Sequence, residues 1–151
     1  QVFGYIFKEK DSEDNIVIED ASSGSLLKYK LLNVCEFTST RKRMSCIFRD
    51  PHGKIILMCK GADSIIAGLL SQDSLNSDVY RASQAYVDDY ALQGLRTLFL
   101  AEKYIDEDFY QQWEEELLTK LEINEREEKV AAVDEKIETD LELIGSTAIE
   151  D

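Results

Sequence analysis

Apolar residues follow two different periods along this chain. Up to Lys60 they come in short β-branched and aromatic runs. Val2-Phe3-Gly4-Tyr5-Ile6-Phe7 and Asn15-Ile16-Val17-Ile18-Glu19 read as strands, separated by the polar stretch Lys8 to Asp14. Ala21 to Ser25 reads as a turn, Leu26 to Phe37 as a long strand, and polar Thr38 to Lys42 as an interruption. Arg43 to Arg49 and Lys54 to Lys60 predict a hairpin closed by Asp50-Pro51-His52-Gly53, where Pro and Gly supply the turn dihedrals.

After Gly61 the period becomes helical. Ala62 to Leu70 carries Ile65, Ile66, Leu69 and Leu70 at helix spacing. Ser77 to Gln93 places Val79, Ala82, Tyr86, Tyr90 and Ala91 on one side, with Gly94 as a helix-ending residue. Leu95 to Tyr104 returns to strand. Asp106 predicts the N-cap of a helix from Glu107 to about Ile123, with Phe109, Trp113, Leu117, Leu118 and Leu121 as its apolar stripe. A second charged helix, Arg126 to about Asp140, shows Val130, Val133 and Ile137 at i, i+3 and i+7, and Leu141 to Thr147 closes as a strand. There is no internal repeat or low-complexity tract. The elements predict an α+β fold, an antiparallel β-sheet flanked by helices, in a single domain over 1–151.

Composition narrows the function. A chain of 151 residues can enclose one sizeable core. With 17 Lys and Arg against 31 Asp and Glu, its charge of −14 argues against nucleic acid as a partner. Residues 1–60 hold 10 basic and 8 acidic residues, and residues 61–151 hold 7 and 23, so an anion would be sought in the first part. No apolar run approaches the roughly 18–20 residues of a membrane span, and Gly4 to Phe7 is too short for a signal-peptide core. The piece reads as soluble. Cys35, Cys46 and Cys59 read as free thiols of a reducing compartment, and with a single histidine, His52, no structural zinc spacing exists.

Neither a Ser/His or Cys/His set nor a Walker A or GxGxxG loop is present, so the chain is a poor candidate for a complete enzyme. Two segments stand out. Glu36 to Ser45 places an aromatic before three consecutive cations, and Cys59-Lys60-Gly61-Ala62-Asp63 lies where a strand hands over to a helix. An adenine ring would stack on a flat aromatic there, with a cation for phosphate and a glycine to admit the ligand. The plainer reading stands beside it: Phe37 as core, Arg41-Lys42-Arg43 as a solvated run, and Gly61 as a helix start.

These residues carry a resemblance. EFTSTRKRMS (36–45), KGADSII (60–66), QGLRTL (93–98) and DLELIGSTAIED (140–151) resemble the nucleotide-binding domain of P-type ATPases, and most nearly the phospholipid-flippase subfamily. The motifs occur in family order over nearly the whole chain. The resemblance implies that Phe37 stacks on adenine and that Lys60 lies at the pocket floor. Gly61 would let the backbone approach, and Arg96 would reach the phosphates. Glu36, Ser39 and Met44 fall at neighbouring pocket positions, Ser39 standing where other P-type pumps often carry arginine.

It also implies what is missing. The acidic segment that lines the adenine pocket, the phosphorylated aspartate, the dephosphorylation loop and the magnesium-binding segment are not in this sequence. The chain is therefore expected to be a domain excised from a larger membrane ATPase, cytosolic, at the plasma membrane, Golgi or endosomes. ATP is the implied ligand, with Mg2+ held mainly by the phosphorylation domain. The implied partners are the phosphorylation, actuator and transmembrane domains, with an accessory membrane subunit as a further possibility. The fragment should bind ATP without hydrolysing it. Two alternatives stay open: the same domain of a cation pump, or an acidic interaction module in which Trp113 and Glu114 to Glu116 dock a basic partner.

Overall fold

The computed structural model describes residues 4–121 and 126–150. Seven strands form one sheet in chain order, every neighbouring pair antiparallel: β1 (Tyr5–Lys10), β2 (Asn15–Asp20), β3 (Leu26–Cys35), β4 (Arg43–Arg49), β5 (Ile55–Gly61), β6 (Arg96–Ile105) and β7 (Glu142–Ile149). The helices α1 (Asp63–Ala67), α2 (Gln72–Leu75) and α3 (Asp78–Leu92) fill the β5–β6 connection, and α4 (Glu107–Leu121) and α5 (Arg126–Ile137) fill the β6–β7 connection. The expected α+β sheet with flanking helices is what forms. The expected reach of the first strand back to Val2 and of α4 on to Ile123 lies outside the described residues, as does the Leu121 side chain.

Alternation sorts the strands into two faces. Ser45 and Ile47 of β4, Ile55, Leu57 and Cys59 of β5, and Phe99, Ala101 and Ile105 of β6 point to one side and are buried. The helices cover that side with Ile66, Val87, Tyr110, Trp113, Leu117, Val133 and Ile137. Each fully buried Leu, Ile or Phe there contributes about 1.5–3 kcal/mol. Among the described residues, the opposite face of the sheet carries no helix.

Local chemistry explains the element ends. Asp50 Oδ1 accepts the His52 and Lys54 N–H groups, and Gly53 takes φ +82°, closing the expected hairpin. Ser77 caps α3 through the Tyr80 N–H. At its other end Gly94 sits at φ +76°, the Leu95 N–H reaches the Tyr90 carbonyl at 3.0 Å and the Gly94 N–H reaches Ala91 at 3.0 Å, a Schellman ending. Asp106 Oδ1 accepts from Asp108 and Phe109 and starts α4.

Several expectations are corrected. β1 runs on to Lys10 through a bulge between Phe7 and Glu9, because the pairing partner β2 extends as far. β3 stops at Cys35, so Glu36 and Phe37 belong to a loop; Arg41 Nε takes the Glu36 carbonyl, which leaves the ladder. The helix after Gly61 covers only Asp63–Ala67 before the chain turns to pair Leu70 with Leu141. α3 buries Ser83 and Val87 beside half-buried Tyr80, whereas Val79 and Tyr86 face solvent. α4 buries Tyr110 rather than Phe109, and Leu118 is exposed. The packed face of α3 is turned by about one position from the expected one, because the sheet, not the helix's own apolar content, selects the face that packs; α4 buries Trp113 and Leu117 as expected.

Candidate functional site

The helix-free face of the sheet holds a groove of about 300 Å³ lined by Met44, Cys46 and Phe48 of β4, Met58 and Lys60 of β5, Leu100 of β6 and Ile144 of β7. Register builds its floor: Met44 pairs with Lys60, Lys60 with Leu100, and Leu100 with Gly145, one row across four strands. A shift in pairing between Leu100 and Ala101 leaves Ile144 as an extra residue on β7, 52% exposed against the groove. Phe48 and Met58 also line a neighbouring trough of about 410 Å³ with Tyr5, Ile16, Ile18, Leu27 and Tyr29. An apolar floor with one ammonium at its end suits a flat ring carrying anionic groups.

Of the seven predicted residues, Met44 and Lys60 line this groove and the other five do not. Met44 and Lys60 form its floor. Phe37 is 60% exposed on the loop that follows β3, and Glu36 and Ser39 are exposed with it. Arg96 opens β6 on the same face as Leu100, four residues or about 13 Å along the strand. It lies toward the end at which Gly61 pairs with Phe99. Burial pushes the Cys46 thiol up, opposed by Lys60 and reinforced by Glu36.

Gly61 does something other than the sequence suggested. It faces the helix side, and a Cβ there would stand 2.7 Å from both Arg43 Cβ and the Lys42 carbonyl oxygen. The room left by the missing side chain is filled by the protein's own loop, so the close approach it permits is internal. The Ala62 N–H donates to the Lys42 carbonyl at 3.2 Å and fastens the two segments together.

The three cations divide sharply. Arg41 and Arg43 are 5% and 7% exposed, and both bind Glu138, itself fully buried, at 2.7 and 2.6 Å. They are neither a solvated run nor free to meet phosphate. Lys42, between them, is exposed with φ +51°. Sequence reasoning missed Glu138 because it lies 97 residues from Arg41. The only local signal was the oddity of three adjacent cations beside an apolar strand.

Beneath the loop, Cys35, Asp134 and Glu138 bring three ligand-type atoms within 4.8 Å of one another. With both Glu138 oxygens already engaged by guanidinium groups, the cluster offers no free carboxylate pair for a divalent cation such as Mg2+. Burial pushes Asp134 up to about 6, against the pull of Arg41. The same burial raises Cys35 strongly and Cys59 to about 11, so these thiols are unreactive core groups. Trp113, expected at the centre of a docking face, is 3% exposed, and its Nε1–H donates to the Val133 carbonyl at 2.8 Å. Glu114 lies 3.4 Å from Asn33 Nδ2. Trp113 is core, whereas Glu115 is exposed and Glu114 and Glu116 are half-buried, so the interaction-module alternative loses its aromatic centre.

A family model for the P-type ATPase cytoplasmic domain N matches residues 21–151. Over 99% of its length the chain is 39% identical to the phospholipid-transporting ATPase ID of Homo sapiens, covering 12% of that protein. It is 43% identical over 98% of its length to the phospholipid-transporting ATPase DRS2 of Saccharomyces cerevisiae, covering 11%. To the probable phospholipid-transporting ATPase 4 of Arabidopsis thaliana it is 41% identical over 99%, covering 12%. The chain therefore spans only 11–12% of the length of these relatives.

Proposed function

The chain belongs to the P-type ATPase cytoplasmic domain N family, and from that premise we propose that it is the nucleotide-binding domain of a phospholipid-translocating ATPase. The observation that carries this reading is the row Met44–Lys60–Leu100 in an open apolar groove, with the Phe37 loop at one end and Arg96 on the same face. Adenine stacks on Phe37 above Met44 and Lys60. Arg96 reaches the phosphates, Glu36 and Ser39 border the base, and Gly61 shapes the pocket from behind by admitting Lys42 and Arg43.

Holding ATP by its base leaves the γ-phosphate projecting toward an aspartate on a separate phosphorylation domain. Closure of the two domains supplies the proximity for in-line phosphoryl transfer. Mg2+, held mainly by that other domain, supplies charge neutralisation at the phosphates when bound. Cycles of this transfer, relayed through actuator and transmembrane domains, would move a phospholipid from the outer to the cytosolic leaflet of a plasma, Golgi or endosomal membrane. The relatives named above as phospholipid-transporting ATPases favour lipid over cation as cargo.

The 151-residue chain by itself binds ATP and hydrolyses nothing. Stacking contributes roughly 1–3 kcal/mol, so a dissociation constant on the order of millimolar, about −4 kcal/mol, is expected. The test is an ATP titration followed by amide NMR, with Phe37→Ala and Lys60→Ala alongside. Shifts clustered at Phe37, Ser39, Lys60 and Arg96, abolished in both variants with the fold intact, support the site. Absence of shifts at several millimolar ATP refutes it for this chain.

A further inference from the structure

Glu138 lies just beyond α5, on the helix side of the sheet, and touches neither the groove nor any residue placed against the base. Its Oε1 accepts from Arg41 Nη2 at 2.7 Å and its Oε2 from Arg43 Nε at 2.6 Å. One carboxylate thus holds two buried guanidinium groups. Removing three charges from water is costly, and apolar residues of similar size would commonly stabilise at least as well. The triad calls for a geometric reason.

The hydrogen bonds supply one. Arg41 Nε holds the Glu36 carbonyl at 3.1 Å, and Arg43 Nη1 holds the Arg41 carbonyl at 3.2 Å. The Arg41 N–H donates to the Thr38 hydroxyl at 3.0 Å, and the Lys42 N–H to the Thr38 carbonyl at 2.8 Å. Among the described residues, the anchors of residues 36–43 run through the two arginines or the adjacent Lys42, whose carbonyl also accepts the Ala62 N–H. Lys42 is turned outward between them at φ +51°, a conformation a lysine keeps only when its surroundings impose it. The loop's shape is dictated from beneath by the end of α5.

We propose that Glu138 is a positioning residue for the nucleotide loop, holding Phe37, Ser39 and Lys42 at the edge of the groove through Arg41 and Arg43. The α4–α5 layer on one face of the sheet then sets nucleotide affinity on the other. The functional half of this inference rests on the nucleotide reading above; the geometric half does not.

The experiment compares the wild-type chain with Glu138→Gln and Glu138→Asp by amide hydrogen exchange and by ATP titration. Glutamine keeps the shape and removes the charge. Aspartate keeps the charge but is one methylene too short to reach both guanidinium groups, so it carries the comparison if the glutamine variant does not fold. The expected result is at least tenfold faster exchange at Arg41, Lys42 and Ala62, unchanged protection of β5 and β6, and at least threefold weaker ATP binding. A purely structural role would instead raise exchange across the whole sheet, and that outcome overturns the proposal. So does a folded variant with wild-type exchange in the loop and wild-type affinity. If the wild type shows no ATP-induced shifts, the nucleotide reading fails, and loop exchange alone decides whether Glu138 positions the loop.

Discussion

Replacing Gly61 by alanine tests whether that glycine serves the loop rather than a ligand. The added Cβ would meet Arg43 Cβ and the Lys42 carbonyl oxygen at 2.7 Å and Arg43 Cα at 3.0 Å. Comfortable carbon contacts lie near 3.5–4.0 Å, so the overlap is about 1 Å. All three atoms belong to backbone or its first side-chain carbon, and Gly61 itself is held between Arg43 and Phe99 in a strand paired on both sides. None can swing away as a side-chain tip could. Overpacking of this kind costs about 1–3 kcal/mol, and pushing the segments apart weakens the Ala62–Lys42 hydrogen bond by about 1 kcal/mol. Against this, alanine reduces the freedom of the unfolded chain by about 0.4–1 kcal/mol. The net loss is about 2 kcal/mol, or roughly 4–8 °C in Tm for a chain of this size. Gly145→Ala is the control, since a Cβ there meets nothing within 4 Å. Thermal unfolding followed by circular dichroism should show Gly61→Ala lowered and Gly145→Ala unchanged or slightly raised. If the two variants melt together, the argument that the Lys42–Arg43 segment occupies the space at 61 is wrong.

Two other predictions rest on the buried polar cluster and the groove. Asp134 is raised to about 6 by burial, so the folded state binds its proton more tightly than the unfolded chain, whose aspartate titrates near 3.8. Its contribution is fully present below about pH 4 and is lost as pH rises through 6. The Tm difference between wild type and Asp134→Asn should therefore shift against the wild type over that window and stay flat above it; a flat difference from pH 4 to 7 would contradict the burial argument. Among the thiols, half-buried Cys46 lines the groove beside Lys60, while Cys35 and Cys59 are buried. Mild alkylation monitored by peptide mass should modify Cys46 first, and ATP at several millimolar should slow it; labelling of Cys35 first would refute the packing.

Features that close within a few residues could be read from the chain alone. Period-2 and helical apolar runs placed all seven strands and the long helices. The Asp50–Gly53 turn, the Gly94 ending and the Asp106 cap were legible because their hydrogen bonds close within five positions. The family motifs named the groove residues Met44 and Lys60 for the same reason, each being a short contiguous string. Features that depend on a distant partner could not be read that way. Whether Tyr110 or Phe109 enters the core depends on how α4 is set against the sheet, where Asn33 meets the Tyr110 hydroxyl at 2.8 Å. Whether Arg41 and Arg43 are solvated depends on Glu138, whose carboxylate arrives only when α5 packs under the loop. A charge is stable in water or opposite a counter-charge, and sequence spacing reveals only the first option. Burial of the second kind is a property of the folded sheet and helices together.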